Sequence, residues 1–156
     1  MSESEAAHDP NRFSGLELIE RLVSGSMPPA GIMRLMNMSG GDAGAGWVAF
    51  RGLPGREHYN PIGSVHGGYA ATLLDSCMGC AIHTTLPAGV GYTTVDLNIT
   101  YLRAMSDSTG EVTARGEVIS SGRRIATARG SITDGQGRVI ATGTTTCLVL
   151  RPETAK

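Results

Sequence analysis

Apolar residues that recur every three or four positions predict two helices. The first runs from Phe13 to Val23, where Leu16, Ile19, Leu22 and Val23 share a face, and Ser14 is placed to cap its start. The second is longer and ends before Pro87. Its apolar positions are Ala70, Leu73, Leu74, Cys77, Met78, Ala81 and Ile82.

A period of two replaces the helical period after this helix and predicts strands. Val95, Leu97, Ile99 and Tyr101 alternate with Thr94, Asp96, Asn98 and Thr100, which indicates a half-buried strand. Three more alternating segments follow, separated by turn residues: Gly110 to Ile119, Arg124 to Thr133 and Arg138 to Leu150. We expect these four strands to form an antiparallel meander.

The chain before the long helix is harder to interpret. Ile32 to Met38 and Trp47 to Arg51 are predicted strands, Gly40 to Gly46 is a predicted turn, and Gly52 to Ser64 is irregular. Short strands, one long helix and a meander indicate an α+β fold. At 156 residues the chain has room for one domain, which we assign to residues 13–151 after a disordered leader at 1–12.

Charge and composition exclude several classes of function. The net charge of −1, from 13 basic and 14 acidic residues, argues against a nucleic-acid partner bound through phosphates. The sequence has no run of about 18 apolar residues, so no membrane span is predicted. Residues Met1 to Pro10 lack the pattern of a secretory signal. Three cysteines, an odd number, suit a reducing compartment. These features predict a cytoplasmic protein.

One charge in the long helix stands out. Asp75 is the only Asp, Glu, Lys or Arg between Glu57 and Asp96, and it shares a flank of the helix with Gly68, Ala71 and Gly79. A carboxylate on such a flank would be partly desolvated, which makes it a better base. The alternative is a structural role, with Asp75 facing solvent or paired with an arginine of a strand.

The residues at the start of this helix suggest a second chemical group. Two glycines, Gly67 and Gly68, follow His66, although each costs up to about 1 kcal/mol relative to alanine in a helix. They are explained if a ligand approaches the backbone closely, because helix N-termini present free N–H groups to anions and to developing oxyanions. A plain glycine loop entering a helix is the alternative.

Helix geometry limits how these two groups work together. His66 and Asp75 are nine residues apart, so about 13 Å separates them along the axis. They cannot act on one atom from the same chain, but they can across a two-fold axis. A catalytic interpretation therefore predicts a dimer with two shared sites.

Other candidate motifs are weaker. Cys77 and Cys80 form a CxxC inside a helix, which favours packed thiols over a zinc or redox site. The histidines lack metal-ligand spacing, so no metal is predicted. The turn from Ser121 to Arg124, with Arg123 and Arg124, suits either a phosphate or a solvated hairpin.

Taken together and in order, these motifs resemble those of the hotdog-fold acyl-CoA thioesterases of the phenylacetate-degradation group. The resemblance runs from about Asn60 to Leu150. The matching residues are Asn60-Pro61, Val65-His66-Gly67-Gly68, Leu73-Leu74-Asp75, Thr94 to Tyr101, and Gly122-Arg123. The resemblance implies a hotdog fold, with a long central helix wrapped by a curved antiparallel sheet. It also implies a homodimer, paired into a tetramer as a dimer of dimers.

The resemblance implies roles for the residues at the helix N-terminus. The backbone N–H of Gly67 would polarise the thioester carbonyl, with Gly68 beside the substrate. His66 and Asn60 would shape this end of the site, Asn60 by holding water or the carbonyl.

It implies roles for a second group of residues as well. Asp75 of the partner subunit would be the nucleophile or general base, and Thr94, or Thr93 as the fallback, would position the water or the carboxylate. Arg123 and Arg124 would bind the nucleotide phosphates of coenzyme A.

The expected reaction is hydrolysis of an acyl-CoA thioester to a free acid and coenzyme A, with no cofactor beyond the substrate's own coenzyme A. The alternatives are a non-catalytic acyl-CoA binder and a hotdog hydratase or dehydratase. A hydratase would need a histidine base with its own acid partner, whereas His66 is followed at once by two glycines. The sequence departs from a minimal family member in its long N-terminal segment, which is a candidate cover for the acyl pocket.

Overall fold

The computed structural model describes residues 12–152. Within this range the elements follow the order α1 (Gly15–Val23), α2 (Gly31–Leu35), β1 (Met38–Gly44), β2 (Trp47–Gly52), α3 (Gly67–His83), β3 (Gly91–Tyr101), β4 (Val112–Ser121), β5 (Ile125–Asp134) and β6 (Val139–Leu150). Two short 3-10 turns lie at Arg56–His58 and Asp107–Thr109. None of these helices has the length and apolar character needed to cross a membrane.

The six strands form one antiparallel sheet in the order β1-β2-β4-β5-β6-β3, and α3 packs on one face of it. Helix α3 buries Leu73, Leu74, Cys77 and Met78 completely. The sheet meets them with small residues, which include Ala114, Gly116, Ala128, Gly130, Ala141 and Gly143. Because bulky aliphatic side chains of the helix fill the space above small residues of the sheet, the core needs few aromatic residues. The predicted α+β architecture, a central helix wrapped by a curved sheet, is confirmed.

Helix α1 lies at the C-terminal end of α3. Ser14 caps it in a reciprocal pair with Glu17, as its position predicts, and Ile19 is buried in the core. The N–H of Gly15 donates to the carbonyl of Leu86 at 3.0 Å, just beyond α3. The predicted leader at residues 1–12 lies outside the described residues except for Arg12.

The predictions for residues 32–46 are wrong. The segment predicted as a strand, Ile32 to Met38, includes most of helix α2, and the predicted turn, Gly40 to Gly46, is largely strand β1. The glycines of β1 serve close packing: a Cβ on Gly40 would collide with the carbonyl group of Val23 at the end of α1. A glycine-rich run that indicates a turn by composition is here a strand covered by a helix.

The four-strand meander is also wrong in one respect. Strands β4, β5 and β6 are neighbours, but β3 pairs with β6 and forms one end of the sheet. Alternation identifies a strand but not its neighbours. Tight turns join β4 to β5 and β5 to β6, whereas residues 102–111 allow the chain to cross from β3 to β4. One edge of β3 is therefore unpaired within residues 12–152.

Close contact between β4 and α3 makes a specific prediction about stability. A Cβ on Gly116 would lie against the backbone of Cys77 and 2.7 Å from the backbone nitrogen of Met78. We expect Gly116→Ala to lower the free energy of unfolding by about 1–3 kcal/mol, because neither backbone can move easily. Gly135→Ala is the matched control, since nothing lies within 4 Å of its Cβ position. Equal unfolding curves in denaturant for the two variants would contradict this packing.

Candidate functional site

The N-terminus of α3 leaves one backbone donor free. His66 is the capping residue, and its Nδ1 accepts a hydrogen bond from the Gly68 N–H at 2.7 Å. Its carbonyl accepts from the N–H of Tyr69 at 2.9 Å. Since Nδ1 is an acceptor, a neutral His66 ring carries its hydrogen on Nε2. The Gly67 N–H donates to no group within residues 12–152, and it lies at the positive end of the helix dipole.

A cleft of about 320 Å³ opens beside Gly67. The polar groups around it come from His66, Tyr101 and Arg103. The remaining walls are mainly apolar, with Val65, Ala70, Leu102, Ala104, Met105 and Ile140. A free N–H beside a mainly apolar cleft suits a carbonyl oxygen whose substituent is apolar.

A larger groove of about 720 Å³ lies on the sheet face opposite α3. It is lined by polar strand residues, and Glu117 forms ion pairs there with Arg115 at 3.0 Å and Arg129 at 3.2 Å. Gly67 lines the smaller cleft and not this groove, and Asp75 lines neither. The smaller cleft is therefore the candidate site.

Asn60 organises the loop that leads into α3. Its Oδ1 accepts from the N–H groups of Ile62 and Ser64, both at 3.1 Å, and its Nδ2 donates to Ser64 Oγ at 3.0 Å. The carbonyl of this side chain is thus committed to the loop. One amide hydrogen remains for a water or a substrate oxygen.

Asp75 is half-buried and hydrogen-bonded to a strand. Its Oδ1 accepts from the hydroxyl of Thr94 at 2.8 Å. None of the ion pairs within residues 12–152 includes Asp75. The structure therefore contradicts the alternative in which Asp75 pairs with an arginine of a strand. A neutral donor thus orients the carboxyl group, and no cationic side chain within residues 12–152 forms an ion pair with it.

A β-bulge aims Thr94 at Asp75. Thr94 pairs with the buried Cys147, but the next pair along the ladder is Asp96 with Thr146, so Val95 is an extra residue. Strict alternation would turn Val95 toward the helix and Thr94 away from it, and this expectation is wrong: Val95 is 63% exposed. Bulges near functional sites re-aim side chains in this way.

The bulge also separates the two threonine candidates. Thr93 precedes Thr94 directly, so its side chain points to the opposite face of the sheet, and it is exposed. Of these two threonines, Thr94 is the one that hydrogen-bonds to Asp75 within residues 12–152.

The structure does not bring Gly67 and Asp75 together within one chain. Eight residues separate them on α3, which corresponds to about 12 Å along the axis. Strand β3 runs beside both of them: Thr94 contacts Asp75, and the Tyr101 hydroxyl donates to the Gly67 carbonyl at 3.0 Å. The unpaired edge of β3 therefore lies beside both halves of the candidate site.

Arg123 and Arg124 lie far from Gly67 of their own chain. Their side chains are exposed on the β4–β5 turn. The hydroxyl of Ser121, just before this turn, lies 2.8 Å from that of Thr85, which follows the C-terminal end of α3. Arg151, which sequence patterns did not indicate, joins this corner because its Nε donates to the Arg123 carbonyl at 3.2 Å.

The cysteines are packed thiols, as the sequence predicts. Cys77 and Cys147 are buried. Burial raises the pKa of Cys77, and it raises the pKa of Cys80 to about 11, so both thiols are protonated at neutral pH. Within residues 12–152 no three His, Cys, Asp or Glu side chains converge as metal ligands would.

Tyr101 is a site residue that sequence analysis missed. The motif run ends on it, but alternation alone marks it only as one more apolar position. Its contact with Gly67 depends on where β3 lies relative to α3, which periodicity does not report.

Comparisons with known proteins identify the family of this chain. A family model described as the thioesterase superfamily matches residues 62–141. A protein of Halobacterium salinarum named as an esterase is 32% identical over 117 residues, which are 71% of this chain and 75% of that protein. Mouse acyl-coenzyme A thioesterase 13 is 33% identical over 88 residues, 56% of this chain and 61% of the mouse protein.

Solved structures show the same fold. Zebrafish thioesterase superfamily member 2 superimposes with a TM-score of 0.71 at 28% identity, over 85% of this chain and 96% of the fish protein. A phenylacetic acid degradation-related protein from Ralstonia eutropha gives a TM-score of 0.72 at 25% identity, over 83% and 98% of the two chains.

Proposed function

This chain belongs to the thioesterase superfamily, and we propose that it hydrolyses acyl-CoA thioesters to the free acid and coenzyme A at sites shared by two subunits. The proposal rests on one observation: Thr94 orients the carboxylate of Asp75, which forms no ion pair within residues 12–152, beside the open edge of the sheet. The similarity to acyl-coenzyme A thioesterase 13 supports coenzyme A as the thiol part of the substrate.

The edge of β3 supports a shared site. Thr94 and Tyr101 lie on this strand beside Asp75 and Gly67, respectively. If two β3 edges pair antiparallel about a two-fold axis midway between these residues, Thr94 of one chain meets Tyr101 of the other. Such pairing brings Gly67 of one subunit next to Asp75 of the partner subunit. It also covers apolar side chains that are exposed in the single chain, Val95 at 63% and Tyr101 at 54%.

Gly67 and Asp75 have different roles in the proposed reaction. The Gly67 N–H donates to the thioester oxygen and stabilises the negative charge that develops on it. Asp75 of the partner subunit either attacks the carbonyl carbon, forming an anhydride that water then hydrolyses, or takes a proton from a water that attacks directly. In both routes the carbon–sulfur bond breaks and the thiolate leaves. Thr94 keeps the carboxylate in one orientation.

The arginines of the β4–β5 turn suit the far end of the substrate. Thr85, beside that turn, follows Asp75 by ten residues, or about 15 Å if the helical rise is extended to it. An extended pantetheine arm spans such a distance between the thioester and the nucleotide. Arg123 and Arg124 are therefore proposed to bind the phosphates of coenzyme A, in the same subunit that supplies Asp75.

The competing functions fit the site less well. A non-catalytic acyl-CoA binder has no use for an unpaired carboxylate beside the carbonyl. A hydratase needs a histidine base, but Nδ1 of His66 is already the acceptor that caps α3, and none of its hydrogen bonds within residues 12–152 is to an acid.

Asp75→Asn tests the catalytic role. The amide keeps the shape of the side chain but cannot act as base or nucleophile, so we expect kcat to fall by about 10²-fold to 10⁴-fold. The melting temperature should stay level or rise, because a partly desolvated charge is removed. Asp42→Asn, which changes an exposed side chain on strand β1, is the control and should retain activity. Retained kcat with a lowered melting temperature would show that Asp75 is structural.

The double variant Arg123→Ala and Arg124→Ala tests the phosphate contacts. We expect it to raise KM for acyl-CoA much more than it lowers kcat, since remote contacts contribute uniform binding. An acyl-pantetheine thioester, which lacks the nucleotide, is the matched substrate and should show no change in KM. If both substrates are affected equally, these arginines act elsewhere.

A further inference from the structure

One peptide group at the start of α3 is held from both sides. The peptide that joins Gly67 to Gly68 donates its N–H to His66 Nδ1 at 2.7 Å and accepts at its carbonyl from the Tyr101 hydroxyl at 3.0 Å. This peptide lies directly after the free Gly67 N–H. The two anchors come from different elements, the helix cap and strand β3.

Two adjacent glycines need such anchoring. Glycine has more backbone freedom than any other residue, and the first turn of a helix lacks the hydrogen bonds that hold its interior. A donor on this turn would therefore lose alignment with its acceptor unless other groups fixed the backbone. Donors that are aligned before the reaction stabilise a transition state most effectively.

The Tyr101 ring also presses on this turn. A Cβ on Gly67 would lie 3.2 Å from the ring carbon that bears the hydroxyl and from the hydroxyl oxygen itself. Tyr101 pairs with the fully buried Ala141 on β6, so its side chain points to the helix face of the sheet. Ring and hydroxyl together limit the movement of the Gly67 backbone relative to β3.

We propose that Tyr101 is a positioning residue that, together with the His66 cap, fixes the Gly67–Gly68 peptide and so aligns the Gly67 N–H with the substrate oxygen. This inference rests on the proposed thioester hydrolysis. Tyr101 acts through Gly67, and its hydroxyl takes no part in proton transfer.

Tyr101→Phe tests the inference, because it keeps the ring and removes one hydrogen bond. A net hydrogen bond lost from the transition state corresponds to a fall in kcat of roughly 2-fold to 10-fold. KM for acyl-CoA should stay within about 2-fold, since the alignment of the N–H matters less to the neutral carbonyl of the bound substrate than to the developing oxyanion. Thr100→Ala, the exposed neighbour on the opposite sheet face, is the matched control and should match the wild type.

A second readout is independent of activity. Amide hydrogen exchange measured by NMR on the protein without substrate should be faster at Gly68 in Tyr101→Phe than in the wild type, while exchange in the middle of α3 stays the same. A merely structural role would instead lower the melting temperature and speed exchange along the whole helix.

The outcomes separate the inference from the proposed function. If the wild type hydrolyses acyl-CoA but Tyr101→Phe has the same kcat, or loses kcat without faster Gly68 exchange, the positioning role is overturned. If the wild type hydrolyses no thioester, the proposed function fails, and the exchange experiment alone then decides whether Tyr101 holds the peptide.

Discussion

The rigidity of α3 is the constraint on which the rest of the site depends. Its backbone hydrogen bonds hold Gly67 and Asp75 about 12 Å apart, two turns along one helix, and no side-chain motion removes that separation. In the proposed reaction, these two groups can meet at one thioester only if they come from two chains. The sheet order puts β3 at the end, so an open edge lies beside both groups.

Small residues let the sheet approach this helix closely. Gly116 allows β4 to touch the backbone of α3, and alanines on the central strands accept the leucines and Met78. The same close approach extends to β3, where the hydroxyls of Thr94 and Tyr101 reach the helix directly. Packing that holds the core together therefore also sets the geometry of the two polar contacts at the site.

Much of the site is visible in the sequence because its chemistry is unusual in its surroundings. A lone aspartate in an uncharged helix and two glycines after a histidine are local signals, and helices α1 and α3 follow from periodicity. The bulge at Val95, which aims Thr94 at Asp75, breaks the alternation that identifies the strand, and so periodicity assigned Thr94 to the wrong face. The glycines of β1 and the pairing of β3 with β6 depend on contacts between distant segments, which local patterns do not contain.

Subunit complementation tests the shared site most directly. Gly67→Pro removes the N–H donor and keeps the helix start, because proline is tolerated at the first helical position and His66 already has the extended backbone that precedes proline, with φ −61° and ψ 138°. Its ring also displaces the Tyr101 side chain, which would lie 3.2 Å from a Cβ at this position, so both effects disable the same half of the site. Each homodimer, Gly67→Pro or Asp75→Asn, should be inactive. After the two are mixed and allowed to exchange subunits, heterodimers regain one intact site, and acyl-CoA hydrolysis should recover to about a quarter of the wild-type rate. A mixture that exchanges subunits but stays as inactive as its parents would contradict the shared site.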